Sequence, residues 1–502
     1  MALLLSTPEQ HGLQDPTLEL DVKRLQKWLD GLPVLDTGGS LRMVLDALEP
    51  LNEQCLDSKH RLRLLRVYLP TVRRLYDTAE PARLRQANLS RLQRQTMVDD
   101  VERLCLAMAN GFKIIIKEWC APGQQAGNQS LLGTVLRWCL QQLAQALVHS
   151  FRFYRPEPAW IFLELNQLYR VARHQGLIEQ VGTGGGSGVQ VNLAGIYQTI
   201  CMLALIDPFS QDEGELDRQY RALMQYAPQA RIIPGNSWQG LPEGLYFLDL
   251  QSDLRPRHCV FLDSPVAADE PYILDARIPL QQMHRTLAGL NANRRKRRPE
   301  AAILRALLPE VAATEKRRGK RRCDGRWIEF IAGLAGIVDW LLDHQRGDSP
   351  QGLELRVMDR SEQGYRLACE ESDNRLLQVG ELVCEIERDA EDAVQALRLF
   401  VVRWLRDERG QGLELGVERL AGVPAPVQLE VQDQKEGAPV AALFLPSPGA
   451  DSADLLIAPQ GVHVSGRALK VHVGARTITV RCGALFQQSA GNDMFEFLAN
   501  SG

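Results

Sequence analysis

The spacing of apolar residues differs between the first and the last part of this chain, and the difference marks two kinds of structure. Up to residue 228 apolar residues recur every three or four positions, the period of a helix with one buried face. Leu18, Val22, Leu25, Trp28 and Leu29 form one such face, which Gly31, Leu32 and Pro33 end. Leu62, Leu65, Leu69 and Val72 form another, followed by 97–119, 131–148, 160–171 and 190–228. No self-similarity at a fixed period accompanies them, which predicts a helical bundle or irregular solenoid over 1–230. From residue 353 apolar and polar residues alternate instead, as in a strand with one buried face. Segments 353–357, 365–368, 381–386, 413–417, 427–431, 440–445, 454–457, 469–473 and 476–482 follow this pattern. A denser apolar strand covers 398–405. Many short strands between Gly, Pro and Asp turns predict barrels or sandwiches.

The predicted architecture is therefore a multidomain α + β chain. After the helical region 1–230 comes a small mixed α/β appendage over 231–290, where turn residues alternate with runs such as 245–248 and 258–262. A basic linker follows over 291–322, then a β-barrel over 323–424 and a C-terminal β module over 425–502, jointed near Gly422 and Pro424. Residues 181–188, VGTGGGSG, are glycine-rich, but the Gly-Lys-Ser/Thr of a phosphate loop is missing. They read as a flexible loop between helices.

Charge narrows the function. The chain of 502 residues carries −4 overall, so any basic site depends on local clustering. Between Arg294 and Arg326 stand thirteen Arg and Lys against Glu300, Glu310, Glu315 and Asp324. Three readings fit such a segment: nucleic-acid binding, a solvated linker touching a partner or acidic lipid, or a small anionic ligand gripped by arginines. No aromatic-rich RNA-binding strand or zinc finger accompanies it, so no nucleic acid is expected. No apolar run approaches the ~18 residues of a membrane span. The opening residues lack the basic stretch and the apolar core of roughly 7–15 residues of an export signal. Ten scattered cysteines without a C-x-x-C pair then read as reduced thiols in the cytoplasm. The nine histidines show no zinc spacing, no G-x-S-x-G elbow is present, and paired carboxylates such as Asp269-Glu270 read as solvated. An enzyme is not expected, nor is a cofactor or metal. His463 and His472 are expected to be structural.

The anionic-ligand reading gains weight from the spacing of two short motifs. Arg317 and Arg321, and overlapping them Arg318 and Arg322, form R-x-x-x-R pairs. Downstream, Asp359, Ser361 and Gly364 form D-x-S-x-x-G between two predicted strands. In this order, with a β-rich stretch after them, the motifs resemble the PilZ domain family of cyclic di-GMP receptors. Residues 379–383, 402–406 and 413–418 also resemble that family's later strands. The resemblance covers about 316–420 and implies a six-stranded barrel. It further implies that Arg317, Arg318, Arg321 and Arg322 hold phosphates and guanine edges, that Asp359 and Ser361 bind guanine and ribose, and that Gly364 lets the turn close on the ligand. The chemistry agrees: Arg matches phosphate and guanine N7/O6, and a carboxylate matches the guanine N–H donors.

One departure is the 38-residue step from Arg321 to Asp359, which contains WIEFIAGLAGIVDWLL at 327–342. That stretch reads as a strand followed by a helix packed on the barrel. Which R-x-x-x-R pair grips the ligand stays open. So does whether 425–502 completes the first barrel or forms another. The expected function is a non-catalytic cytoplasmic receptor. Six basic residues in 316–322 repel one another until an anionic nucleotide folds them onto the barrel, and the helical region relays this to a protein partner. The resemblance implies control of pili, flagella or exopolysaccharide, hence surface attachment or motility. The alternative is a scaffold whose barrel has lost its ligand and whose basic segment binds an acidic protein, a membrane surface or nucleic acid.

Overall fold

The computed structural model describes residues 3–12, 18–33, 35–87, 89–121, 129–183, 190–212, 214–235, 243–261, 268, 270–292, 299–312, 322–343, 352–369, 377–388, 394–407, 412–431, 439–447, 453–474, 476–489 and 491–499. They fold as two compact units. One comprises 3–153, 157–208 and 214–312; the other comprises 154–156, 209–212 and 322–499.

The first unit is built on helices α1 (Val22–Asp30), α2 (Thr37–Glu53), α3 (Ser58–Thr78), α4 (Pro81–Gln86), α5 (Arg91–Trp119), α6 (Gln129–Arg152), α7 (Ile161–His174), α8 (Leu193–Leu203), α9 (Glu215–Tyr226), α10 (Arg277–Ala292) and α11 (Pro299–Ala312). Side-chain caps set where several begin. Asp21, Asp36 and Asp57 accept backbone N–H groups at the starts of α1, α2 and α3, and Ser90 with Gln93 forms a reciprocal capping box on α5. Every residue of α8 is buried, as its nearly all-apolar sequence requires.

A polar knot ties the N-terminal stretch to this bundle. Lys113 of α5 and Glu164 of α7 form an ion pair at 2.7 Å, with side chains only 2% and 5% exposed. The Ser6 hydroxyl and N–H both donate to the same carboxylate. Removing one member leaves the other charge buried without its counter-ion. Lys113→Met is therefore expected to cost the helical unit about 3 kcal/mol, seen as a lower midpoint in its denaturant unfolding.

The strands β1 (Val181–Thr183) and β2 (Gln190–Asn192) pair as a hairpin. The glycine-rich residues between them, 184–189, lie outside the described residues. Strands β3 (Arg231–Pro234), β4 (Leu245–Asp249), β5 (Arg257–His258) and β6 (Pro271–Asp275) form a sheet in the order β3-β6-β4-β5. Ile232, Tyr246, Leu248 and Leu274 of this sheet join the main helical core, so the segment read as an appendage shares the bundle's interior. The segment read as a basic linker also contains structure. Helix α11 buries Leu304, Leu307, Leu308 and Val311 in the same core. These lie at i, i+3, i+4 and i+7, a helical face that the flanking charge runs conceal. The charge runs 294–298 and 316–321 lie outside the described residues.

The second unit opens with β7 (Arg322–Cys323), β8 (Trp327–Ala332), α12 (Leu334–Asp343), β9 (Leu353–Arg360), β10 (Gly364–Cys369), β11 (Leu382–Arg388), β12 (Val394–Asp407) and β13 (Leu413–Arg419). Six of these close a barrel in the order β8-β9-β10-β13-β12-β11, all neighbours antiparallel, with β11 returning to β8. The long step from Arg321 to Asp359 is thereby explained: β8 and α12 stand within it, as strand and helix in the expected order.

A second closed barrel follows, of β14 (Ala425–Val431), β15 (Val440–Leu445), β16 (Leu455–Pro459), β17 (Ala468–Val473), β18 (Arg476–Gln488) and β19 (Asn492–Ala499). Its order is β14-β15-β16-β19-β18-β17. Numbered one to six within each barrel, both read 1-2-3-6-5-4, and all pairs are antiparallel in both. Residues 425–499 thus form a separate barrel with the topology of the first.

Three apolar layers hold this unit together. Leu355, Val357, Leu367, Phe400 and Leu415 fill the first barrel, and Leu429, Leu456, Val480 and Phe495 fill the second. Between them lies a third layer. There Ile337 and Trp340 of α12 and Leu382, Cys384, Leu399 and Val401 of β11 and β12 meet Leu443, Ile457 and Met494 of the second barrel. Strands β11 and β12 are therefore covered on both faces, which is why their sequences are densely apolar rather than alternating. Glu381 stands at the edge of this layer, 8% exposed. Its carboxylate accepts from Gln378 Nε2 at 3.1 Å and from the Leu382 N–H at 3.3 Å. Burial raises its pKa, so the folded state holds the proton more tightly than the unfolded chain. This contribution is complete below the ordinary carboxylate range and is lost as pH rises through the raised value. Glu381→Gln is expected to raise the melting temperature of this unit at neutral pH by a few degrees and to have little effect at pH 4, as read by calorimetry.

Candidate functional site: the turn between β9 and β10

The D-x-S-x-x-G residues form the hairpin turn that joins β9 to β10. The Ser361 N–H donates to the Gly364 carbonyl at 2.8 Å, and the Ser361 hydroxyl reaches the same oxygen at 3.3 Å. Gly364 is required by a close approach: a Cβ there would collide with the Val417 carbonyl oxygen of β13.

A β-bulge re-aims the aspartate. Leu355 and Val357 face the barrel interior, and a regular strand would turn Asp359 the same way. The pairing register instead slips between Arg366 and Leu367, so that two residues of β9 oppose one step of β10. Asp359 is thereby set opposite Arg366, the neighbour of the inward-facing Leu367. Its carboxylate lies 3.9 Å from the Arg366 guanidinium, which holds Glu414 with two contacts of 2.9 Å.

Strand β7 brings Arg322, the last residue of the R-x-x-x-R pairs, to this turn. It lies along the same edge of β9 as β8, with residues 324–326 between them. Arg322 pairs opposite Arg360 and Cys323 opposite Asp359. Two arginines directly opposite one another repel. The nearest compensation is Asp324, whose carboxylate takes Arg326 at 3.2 Å and Arg360 at 3.3 Å. The structure thus gathers Arg322, Asp359, Ser361 and Gly364 within one strand-and-turn corner. Arg317, Arg318 and Arg321 lie outside the described residues. Sequence reasoning missed Asp324, Arg326, Arg360 and Arg366. Arg360 sits inside the motif and Arg366 two residues beyond it, but only the strand pairing assigns them to the corner.

Behind the turn, the Tyr365 hydroxyl donates to buried Glu385 at 3.2 Å, and Arg398 pairs with the same carboxylate at 3.2 Å. Burial, then the Glu385 charge, raises the Tyr365 pKa, so it serves as a neutral donor. The later strands owe their sequence to packing as well. Trp404 faces Gly416 across β12 and β13, and a Cβ at Gly416 would collide with the indole.

His463 and His472 make structural hydrogen bonds within the second barrel. His463 Nε2 meets the Gly483 carbonyl at 3.1 Å, and His472 Nδ1 meets the Thr477 hydroxyl of its cross-strand partner at 2.9 Å. No disulfide joins any of the ten cysteines. Among the described residues no group of His, Cys, Asp and Glu is arranged to hold a metal ion, and no helix is long and apolar enough to cross a membrane.

The closed barrel with its D-x-S-x-x-G hairpin defines a PilZ domain, and residues 341–426 match the family described as "Cyclic-di-GMP receptor FimW, middle PilZ domain". Residues 23–235 match "Cyclic-di-GMP receptor FimW, N-terminal domain". The chain is 21% identical to the cyclic-di-GMP receptor FimW of Pseudomonas aeruginosa, over 90% of this chain and 86% of that protein. Two segments of the chain, 23–235 and 341–426, thus resemble the two described domains of that receptor, and the first barrel is its PilZ-like part. No solved structure matches it. The matched ranges include the D-x-S-x-x-G turn and leave out the arginine segment.

Proposed function

We propose that this chain is a non-catalytic receptor for cyclic di-GMP, working in the cytoplasm, and that the ligand binds at the corner formed by β7 and the β9–β10 turn. The observation that carries this reading is the pairing of β7 with β9, which stations the end of the arginine segment beside Asp359 and Ser361. The basic residues of 316–322 neutralise the phosphates, with Arg317, Arg318, Arg321 and Arg322 as the gripping set. Asp359 takes the guanine N–H donors, Ser361 contacts guanine or ribose, and Gly364 keeps the hairpin closed. Arg360 and Arg366 add positive charge at the same corner.

The similarity supports the receptor reading over an enzymatic one, since both matched domains are described as parts of a receptor. Binding is assigned to the first barrel only: residues 446–454 of the second, PSPGADSAD, join its second and third strands without a D-x-S-x-x-G motif. In this reading the ligand neutralises the arginine segment and folds it onto the barrel, and the helical region passes this to a protein partner acting in surface attachment or motility. Hydrogen exchange tests the mechanism. Cyclic di-GMP is expected to protect amides of 316–323 and 359–364. Protection confined to other segments would contradict it.

A further inference from the structure

The outward face of α3 is strongly basic. Six of its 21 residues are Lys or Arg, against the single carboxylate of Asp77. Arg61 is turned inward, where its guanidinium donates to the Leu51 and Gln54 carbonyls and has a structural task. Lys59, Arg63, Arg66, Arg73 and Arg74 are exposed. At 3.6 residues per turn they fall within about 100° of one another, and from Lys59 to Arg74 they span about 22 Å. Among the described residues the only ion pair within this row is Arg73 with Asp77, at 3.9 Å. Like charges at this spacing repel one another modestly, and an anionic partner would relieve the repulsion along the whole row.

The row leads to a groove. Thr78, four residues after Arg74, lines an open depression of about 680 Å³ between α2, α4 and α5. Leu84, Leu92 and Met97 give it an apolar floor and wall, and Arg42 and Arg83 stand at its margin. Its acidic groups are already engaged: Asp36 accepts the Gly39 N–H and Asp100 accepts Arg103. Leu35 and Leu92 are left at 101% and 75% exposure on its rim.

We propose that this surface docks an acidic amphipathic helix of a protein partner. The partner's carboxylates, spaced at one helical turn, lie along the α3 row, and its apolar side chains enter the groove. The proposal rests on the receptor reading for its purpose, since it names the kind of partner the helical region engages. A helix fits better than a membrane or a nucleic acid. The positive row is a single line at helical pitch rather than a broad field, and it ends in a half-enclosed apolar groove that a headgroup or phosphate backbone would not fill.

The test uses the full chain and a fluorescent helical peptide of about 20 residues, with Glu along one row and Leu and Phe along the adjoining row. Saturable binding is expected. It should weaken about tenfold or more with a Glu→Gln peptide, with the triple variant Arg63→Glu, Arg66→Glu and Arg74→Glu, and with Leu92→Asp. Circular dichroism confirms that both variants fold. Cyclic di-GMP affinity is measured on the same variants and should be unchanged. No binding by the peptide, or equal binding by its Glu→Gln form, overturns the proposal. So does tighter binding of phosphatidylglycerol vesicles or duplex DNA through the same arginines. Loss of cyclic di-GMP binding in the unaltered chain would instead refute the receptor reading and leave the docking surface standing.

Discussion

Asp359→Ala is expected to weaken cyclic di-GMP binding by about a hundredfold or more, because a carboxylate facing guanine makes two charge-assisted hydrogen bonds of roughly 1.5–3 kcal/mol each. The effect falls on affinity and leaves the fold intact. Asp359 sits at the outer end of β9 with its side chain 17% exposed, and Arg366 keeps Glu414 as a close partner when the aspartate is gone. A titration of wild type and variant, with melting curves of both, separates the two effects. An unchanged affinity would remove Asp359 from the site, and a large drop in melting temperature would recast its role as structural.

Gly364→Val is expected to act the other way round, on the barrel first. The added side chain meets backbone of β13 and cannot turn aside, since the obstructing group is the Val417 carbonyl. Six cross-strand pairs between β10 and β13, from Gly364–Glu418 to Cys369–Leu413, depend on that approach. A loss of more than about 4 kcal/mol is expected, in line with other backbone collisions in closed structures. The β10–β13 amides should lose their exchange protection before those of the helical unit. Retained protection at β10 and β13 would show that the hairpin has another way to close.

The two predictions reflect how differently the site was written into the sequence. Asp359, Ser361 and Gly364 were legible as a motif because a turn needs small and hydrogen-bonding residues at close spacing. The reason for Gly364 was not, because its obstruction comes from Val417, more than 50 residues away in sequence. Arg360 and Arg366 were hidden for the same reason. Their place at the corner follows from a register slip, and a bulge leaves no periodic trace.

Fold legibility followed the same rule. Strands with one buried face, such as β9 and β17, were found by alternation. Strand β19 was missed because Met494 and Phe495, adjacent in sequence, are both buried, one in the layer between the barrels and the other inside the second barrel. Helix α11 was missed because charge runs on either side drew the reading away from its apolar row. The repeated strand order of the two barrels had no counterpart in the sequence, since topology is fixed by pairing and not by residue identity.

Calorimetric titration of the intact chain with cyclic di-GMP at physiological salt, with GTP as control, tests the central claim most directly. Saturable binding of cyclic di-GMP and none of GTP is the expected result. No binding of cyclic di-GMP, or binding of both nucleotides alike with a steep loss on added salt, would contradict it. The β7 and β9–β10 corner would then be a scaffold whose arginines serve another anionic partner.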